Sequence, residues 1–263
     1  QRQMCIRDRV GAFNLGQHPL RWSWPFFCNL TPKASIVIHS AMMSLPEHPL
    51  RRALVEELHM RRLPPVCAPA RLLQIVMVSG EDGYDADRAC AERLCLCLGM
   101  SPSSGKHFVA VGEGLSFIWE RHTEFTSYTF IWPGPVSALF DEDLLARLPS
   151  GWLQTLPGVV LRARQIAVLG AADPEPSPEI IAAQFIDSNI VSCLVANAGA
   201  RIWSDARVYP DGLGRLLVHN RALEPGDLAR LVQQLQELGN YRNMALLGLL
   251  KAQAEAAKLQ DLE

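Results

Sequence analysis

No stretch of this 263-residue chain approaches the ~18–20 consecutive apolar residues that a membrane-spanning helix requires. The segment in hand is therefore expected to be soluble by itself. There is no CxxC pair, and the seven cysteines, at 5, 28, 67, 90, 95, 97 and 193, are odd in number and irregular in spacing. That excludes a regular disulfide framework and points to a reducing compartment. No HExxH or comparable ligand spacing occurs, and neither GxGxxG nor GxxxxGK is present, so no metal and no cofactor are expected. Charge of one sign is also lacking: the formal net charge is -2, which argues against a dedicated nucleic-acid binder and gives no general pull toward anionic lipid. What remains, 49% hydrophobic and 20% charged, is the composition of a globular body with a sizeable core.

The stretch richest in chemistry is Trp119 to Phe130, WERHTEFTSYTF. Leu115, Phe117 and Trp119 alternate with Ser116, Ile118 and Glu120, and Phe125, Ser127 and Thr129 with Thr126, Tyr128 and Phe130, so both flanks read as strands with Arg121 to Glu124 as the tight reversal of a hairpin. Two chemistries fit. A strand running straight through would put Glu120, His122 and Glu124 on one face, where an imidazole between carboxylates could move a proton or join a metal shell. A reversal would point them in different directions, leaving Glu120 and Arg121 to make cross-strand or rim ion pairs. The second, structural reading is favoured. Glu120, Arg121, His122 and Glu124 are nonetheless the candidate catalytic residues.

Residues 1–41 mix tryptophan, phenylalanine and proline without helical or strand period, and the opening QRQMCIRDR looks like read-through, so a non-native or disordered leader is expected. An α+β domain is expected over 42–222 and a helix over 223–263. Pro49 opens a helix that stops before Pro64, with His48 and His59 as capping or surface residues. Leu72–Val78 reads as a buried strand, and the SGEDG turn at Ser79–Gly83 leads into a helix from about Asp85 to Leu98. Glu81 and Asp82 would repel a phosphate, so Ser79, Glu81, Asp82 and Asp85 are expected to cap that helix. Cys90 and Cys97, seven apart, share a helical face, and Cys90, Cys95 and Cys97 are expected to be small buried residues.

After His107–Val111 and the central hairpin, short helices are expected near Asp141–Arg147 and Trp152. Then the order repeats: strand Val159–Leu169, helix Pro178–Phe185, and strands Ile190–Val195, Ala200–Val208 and Arg215–Asn220. Ile118 and Trp119 match Ile202 and Trp203, while Gly80 matches Gly170. The fold class is therefore α+β, two βαβββ-like halves related by a possible pseudo-twofold duplication, followed by a long C-terminal helix.

In that helix Pro225 and Asp227 mark the start, and Leu228, Leu231, Leu235 and Leu238 step by three and four. Gly239 and Asn240 weaken it locally, and Ala245, Leu249, Ala252, Ala256 and Leu259 continue the seam. At ~1.5 Å per residue it outruns the domain, which suggests a coiled coil cut off in mid-course and possible self-association through it.

WERHTEFTSYTF, VSGEDG at Val78–Gly83, HPLR at His48–Arg51 and NYRNMALL at Asn240–Leu247, in that company, resemble a bacterial family of uncharacterised membrane-anchored proteins, domain of unknown function 3422. The likeness covers roughly residues 46–260, with HMRRLP at His59–Pro64 departing from the family pattern. The resemblance implies a longer protein, anchored through hydrophobic C-terminal segments absent from this chain. It carries over no catalytic residues. Three functions follow as expectations: the cytoplasm-facing part of a membrane-anchored scaffold or sensor; an enzyme in which Arg121 binds an anion and His122 moves a proton; or a structural oligomer built through the C-terminal helix.

Overall fold

A computed structural model describes residues 46–52, 55, 63–80, 83–136 and 138–260. The leader and most of the helix expected after Pro49, with His59, lie outside these residues. His48 does act at the start of that segment, its Nδ1 accepting the Leu50 N–H at 3.2 Å.

The body from His48 onward is one eight-stranded sheet. In chain order it runs β1 (Ala70–Val78), α1 (Tyr84–Cys97), β2 (His107–Gly112), β3 (Leu115–Arg121), β4 (Thr126–Pro133), two 3-10 turns (Leu144–Arg147 and Leu153–Thr155), β5 (Val159–Leu169), α2 (Pro178–Gln184), β6 (Val191–Val195), β7 (Ala200–Ser204), β8 (Gly214–Asn220) and α3 (Pro225–Gln260). Across the sheet the order is β2-β3-β4-β1-β5-β8-β7-β6. The α+β class and the repeated order of elements are thus observed. Trp119 and Trp203 occupy equivalent strands, each second from its edge of the sheet.

The halves mirror each other in position but not in strand sense. β1 pairs antiparallel with β4, whereas β5 pairs parallel with β8. A twofold axis between β1 and β5 would demand the same sense in both pairs, so it relates strand order only. Sense is fixed by how many times the chain crosses the sheet between first and last strand, which element order alone does not reveal.

Register sorts the side chains into two faces. On one, Leu73, Ile75, Phe117, Trp119, Tyr128 and Phe130 pack beneath α1 and the 3-10 turns, with Trp152 against the tyrosine and phenylalanine rings. The same face continues through Ala167, Leu217 and Trp203 beneath α2. On the other, Leu72, Ile118, Ile166, Val168 and Val218 pack against Leu228, Ala229, Leu231 and Val232 of α3. The result is three layers with the sheet in the middle. β1 and the second half of β5 lie at its centre, covered on both sides, which is why Leu72–Val78 is an almost unbroken apolar run. Gly158, at φ +81°, immediately precedes β5 where a Cβ would collide with the Val78 carbonyl oxygen, so no other residue fits that approach.

Local expectations are corrected in four places. Ser79 does not cap α1: among the described residues no side-chain hydrogen bond caps the helix, whose N-cap is Gly83, and the serine hydroxyl donates instead to the Asp87 carboxylate at 2.6 Å, while Glu81 and Asp82 lie outside the described residues. Asp85 stands in the first turn, where its charge faces the helix dipole. Cys90 and Cys95 are buried but Cys97 is exposed, because α1 ends there and Met100, just beyond, takes the remaining place in the core. β7 stops at Ser204 rather than Val208, since Ala206 adopts φ +55° and breaks the ladder. Leu238 is 69% exposed and stands off the buried seam of α3: ten residues beyond Leu228 the helix has rotated it away.

Candidate functional site beneath the long helix

The chain reverses at the central hairpin. β3 ends at Arg121, the His122 N–H donates to the Phe125 carbonyl at 2.8 Å, and β4 begins at Thr126. The four candidate residues therefore part company. Glu120 lies on the α3 face, accepting from Ser127 Oγ at 3.0 Å, with His107 Nε2, its cross-strand neighbour, 4.0 Å away. Arg121 points to the opposite face. His122 is buried in a ring stack, 4.2 Å from the Phe125 ring, with Tyr241 of α3 edge-on and its hydroxyl 3.4 Å from Nδ1. Glu124 is exposed at the turn. The straight-strand arrangement, with Glu120, His122 and Glu124 on one face, does not occur.

Arg121 is held by Asp87, a residue that the sequence analysis does not single out. Asp87, on the inward face of α1, is fully buried, and its Oδ2 receives Arg121 Nη1 at 2.7 Å, Ser79 Oγ at 2.6 Å and Thr126 Oγ1 at 2.5 Å. Arg121 Nη2 donates to the Gly80 carbonyl at 2.7 Å. The Tyr128 hydroxyl lies 3.4 Å from Asp87 Oδ1, and burial, then the Asp87 charge, raises its pKa far above the ordinary phenol range. The network ties the β1–α1 turn to β3 and β4. A guanidinium so engaged is a clamp, with its charge already matched. A signal was present in the sequence: Asp87 precedes Cys90, Ala91 and Leu94 at spacings of three, four and seven, the period of a buried face.

The α3 face carries a second polar group. Beyond Val232 the helix buries Gln236 and Asn240 instead of leucine. Below them on β5 stands Arg162, whose Nη1 donates to Gln74 Oε1 at 3.0 Å and to Asn240 Oδ1 at 2.8 Å. Gly239 makes room, since a Cβ there would sit 2.6 Å from Arg162 Nη2. The glycine and asparagine that weaken the helix on paper are thus the seat of a buried guanidinium. Burial, with Arg164 adding repulsion, pushes Arg162 down to about 9. Arg162 Nη2 and Gln236 Nε2 are both shielded from solvent without a hydrogen-bond partner. Each such orphan costs about 1–3 kcal/mol.

A cavity of about 390 Å³ opens elsewhere, on the α2 face, between the loop holding Val136 and Leu139 and the Asp173–Ser177 loop. Its lining is mainly apolar, with Glu175 at the lip. Glu175 Oε1 accepts from Arg201 at 2.6 Å, which holds its carboxyl below the usual range, and Oε2 lies 3.7 Å from Nδ1 of the buried His219. Among the described residues no group of three or more His, Cys, Asp and Glu could hold a metal ion.

Residues 46–263, the whole sheet and α3 included, match the model of one protein family, described as Protein of unknown function (DUF3422). The chain belongs to this family. No curated protein and no solved structure matches it. The family description assigns no chemistry, so function has to be argued from the arrangement above. Among the described residues no helix is long and apolar enough to cross a membrane.

Proposed function

We propose that this α+β body is the cytoplasm-facing, ligand- or partner-binding part of a membrane-anchored scaffold or sensor, with α3 as the rod that joins it to the anchor. One observation carries the reading. α3 is a single helix of 36 residues, ~54 Å at 1.5 Å per residue, whose first turns belong to the core while its later turns leave the sheet. Leu228, Leu231 and Val232 are buried, Gln236 is buried and Asn240 is bonded to Arg162 of β5, and past Tyr241 the residues Ala245, Leu246, Leu249 and Leu250 are exposed. A helix rooted in a core and continuous through its exit carries any tilt of the root outward. Fractionation of the full-length gene product tests the proposal: recovery in the membrane fraction supports it, and recovery wholly in the soluble fraction removes the anchor and the proposal with it.

A second reading, self-association through the emergent half of α3, is favoured by the exposed trio Leu246, Leu249 and Leu250 at spacings of three and one. Ending the chain at residue 224 would strip Leu228 and Val232 from the core, so the test keeps the helix. Light scattering should give a higher mass for the native sequence than for a triple leucine-to-glutamine variant, and equal masses would count against it.

A further inference from the structure

We propose that the cavity between the loop holding Val136 and Leu139 and the Asp173–Ser177 loop binds a small organic ammonium ion, its carbon body against Val136, Leu139, Leu169 and Ile180 and its nitrogen on the carboxylates of Asp173 and Glu175. This site rests on the ligand-binding half of the function proposed above and on nothing else in it. Membrane attachment is read by fractionation and ligand binding on this chain, so either can fail without the other.

At about 390 Å³ the cavity falls at the lower end of the ~300–1,000 Å³ typical of small-molecule sites. Both of its loops are held in place. Arg71 donates Nη1 to the Leu139 carbonyl at 3.2 Å and Nη2 to the Ala138 carbonyl at 2.5 Å. In the other loop the Asp173 N–H donates to the Gly170 carbonyl at 3.1 Å, and Asp173 Oδ2 accepts the Gly170 N–H at 2.7 Å. Pro174, Pro176 and Pro178 then fix every second φ along the chain, so little ordering is left for a ligand to impose.

The ligand class follows from what the lining can and cannot donate. Proline carries no N–H, so alternate residues of the Asp173–Ser177 loop offer only carbonyl oxygens from the backbone. Ser177 Oγ is already engaged, accepting the Ile180 N–H at 3.4 Å, and the Asp173 carbonyl takes Nε2 of His219 at 3.1 Å. Among the described residues no lysine, arginine or histidine lines the cavity. The carboxylate oxygens of the lining that accept no hydrogen bond among the described residues are Asp173 Oδ1 and Glu175 Oε2. Arg201 fixes Glu175 through Oε1 at 2.6 Å and, with His219 and Arg221, favours its ionised form, yet none of these three is a lining residue.

An apolar cavity whose polar groups accept calls for a ligand that donates, and two carboxylates on one loop call for a donor that is charged. An ammonium nitrogen has up to three N–H groups and no acceptor, so it can use either oxygen or both. A carboxylate or phosphate ligand would instead face two like charges. Six of the nine described lining residues are apolar, which asks for a carbon body wider than the four methylenes of a lysine side chain, and so for a free amine rather than a partner's lysine.

The experiment is saturation-transfer NMR on the whole chain at neutral pH with hexylammonium, hexanoate and hexanol at matched ionic strength, with thermal melts alongside. Hexylammonium should bind saturably, raise Tm, and bind at least about tenfold more tightly than hexanoate or hexanol. Glu175→Gln keeps the shape and removes the charge, and should weaken hexylammonium about tenfold. Ile180→Lys sets a rival ammonium on the lining and should abolish binding. The Glu175 side chain is 36% exposed and Ile180 50% exposed, so neither change should unfold the body. Asp227→Asn, which removes an exposed carboxylate of α3, should alter nothing. N-acetyl-lysine methylamide should bind more weakly than hexylammonium. Selective binding of hexylammonium that is weakened in either cavity variant supports the site. The absence of saturable binding, equal binding of hexanoate or hexanol, binding unchanged in both cavity variants, an equal loss in Asp227→Asn, or a preference for the lysine amide would each overturn the inference.

Discussion

Replacing Asp87 by asparagine should be among the most damaging single changes in the body. The side chain of Asp87 is 0% exposed and that of its partner Arg121 8% exposed, so the pair is screened by almost no water. Removing the charge leaves a buried guanidinium facing an amide, and three hydrogen bonds into one oxygen lose their ionic character. Breaking one half of a buried pair costs about 3–5 kcal/mol. Asparagine preserves the shape, so the lower end, about 3 kcal/mol, is expected. For a body of this size that is a fall in Tm of roughly 6–12 °C, at about 2–4 °C per kcal/mol. Urea unfolding followed by circular dichroism should show a lower midpoint at unchanged slope. The decisive measurement is the cycle with Arg121→Met. If the two side chains act as a unit, Asp87→Leu with Arg121→Met should cost less than the sum of the single changes by more than about 1.5 kcal/mol. A single-variant cost under about 1 kcal/mol, or additivity within about 0.5 kcal/mol, would refute the reasoning.

Gly239→Ala and Gly248→Ala are both exchanges inside α3 that propensity alone rates as stabilising by about 1 kcal/mol; only Gly248 has open space around its Cβ position, so thermal melts should show Gly248→Ala rising and Gly239→Ala, pressed onto Arg162, falling. Leu228→Ala should cost about 2–5 kcal/mol and Leu238→Ala less than about 0.5 kcal/mol, and equal losses in urea would place the seam elsewhere. Burial first, then the bond to Asp205, raises Tyr209 to about 12, so the folded state keeps a proton that the unfolded state loses from about pH 10. Its contribution is fully present below pH 10 and lost as pH rises toward 12; subtracting the stability profile of Tyr209→Phe from that of the native sequence should reveal this downward slope, and a flat difference would contradict it. Thiol labelling of native protein with mass mapping should modify Cys67, Cys97 and Cys193 and spare Cys90 and Cys95, the last pushed up to about 11 by burial.

What the chain discloses about itself follows the range of the forces involved. β1 is an apolar run and β3 and β4 alternate with period two, so the central strands, the hairpin reversal and the repeated order of elements could be read locally. Strand sense could not, because it is settled by crossings of the sheet. The partner of Arg121 lies 34 residues away on another element. Arg121 was legible as a chemically loaded residue, and the helical spacing of Asp87 to Cys90, Ala91 and Leu94 marked a buried face, but nothing local tied that aspartate to Arg121. In α3 the error at Leu238 came from following leucines, whereas the buried face passes from Leu228 through Val232 to Gln236 and Asn240. A hydrophobic pattern cannot reveal a helix face that turns polar because a buried arginine waits under it.

α3 carries three successive contacts on one continuous helix, and their strengths differ in kind. The apolar root at Leu228–Val232 is held by burial, at about 2–5 kcal/mol for each large side chain lost. The polar stretch from Gln236 to Asn240 is held by the bond from Arg162 to Asn240, worth about 1.5–3 kcal/mol, and offset by two orphaned donors at about 1–3 kcal/mol each. At Tyr241 the helix leaves the sheet, resting on His122 and Phe125 of the central hairpin. The weakest attachment therefore lies between the root and the exit, and the turns that emerge beyond it inherit any motion there. A ligand that strengthened that middle stretch would change the freedom of the emergent helix without touching it. The imidazole-bearing hairpin that stood out in the sequence thus has a structural role: His122 and Phe125 are what Tyr241 rests on where α3 leaves the sheet.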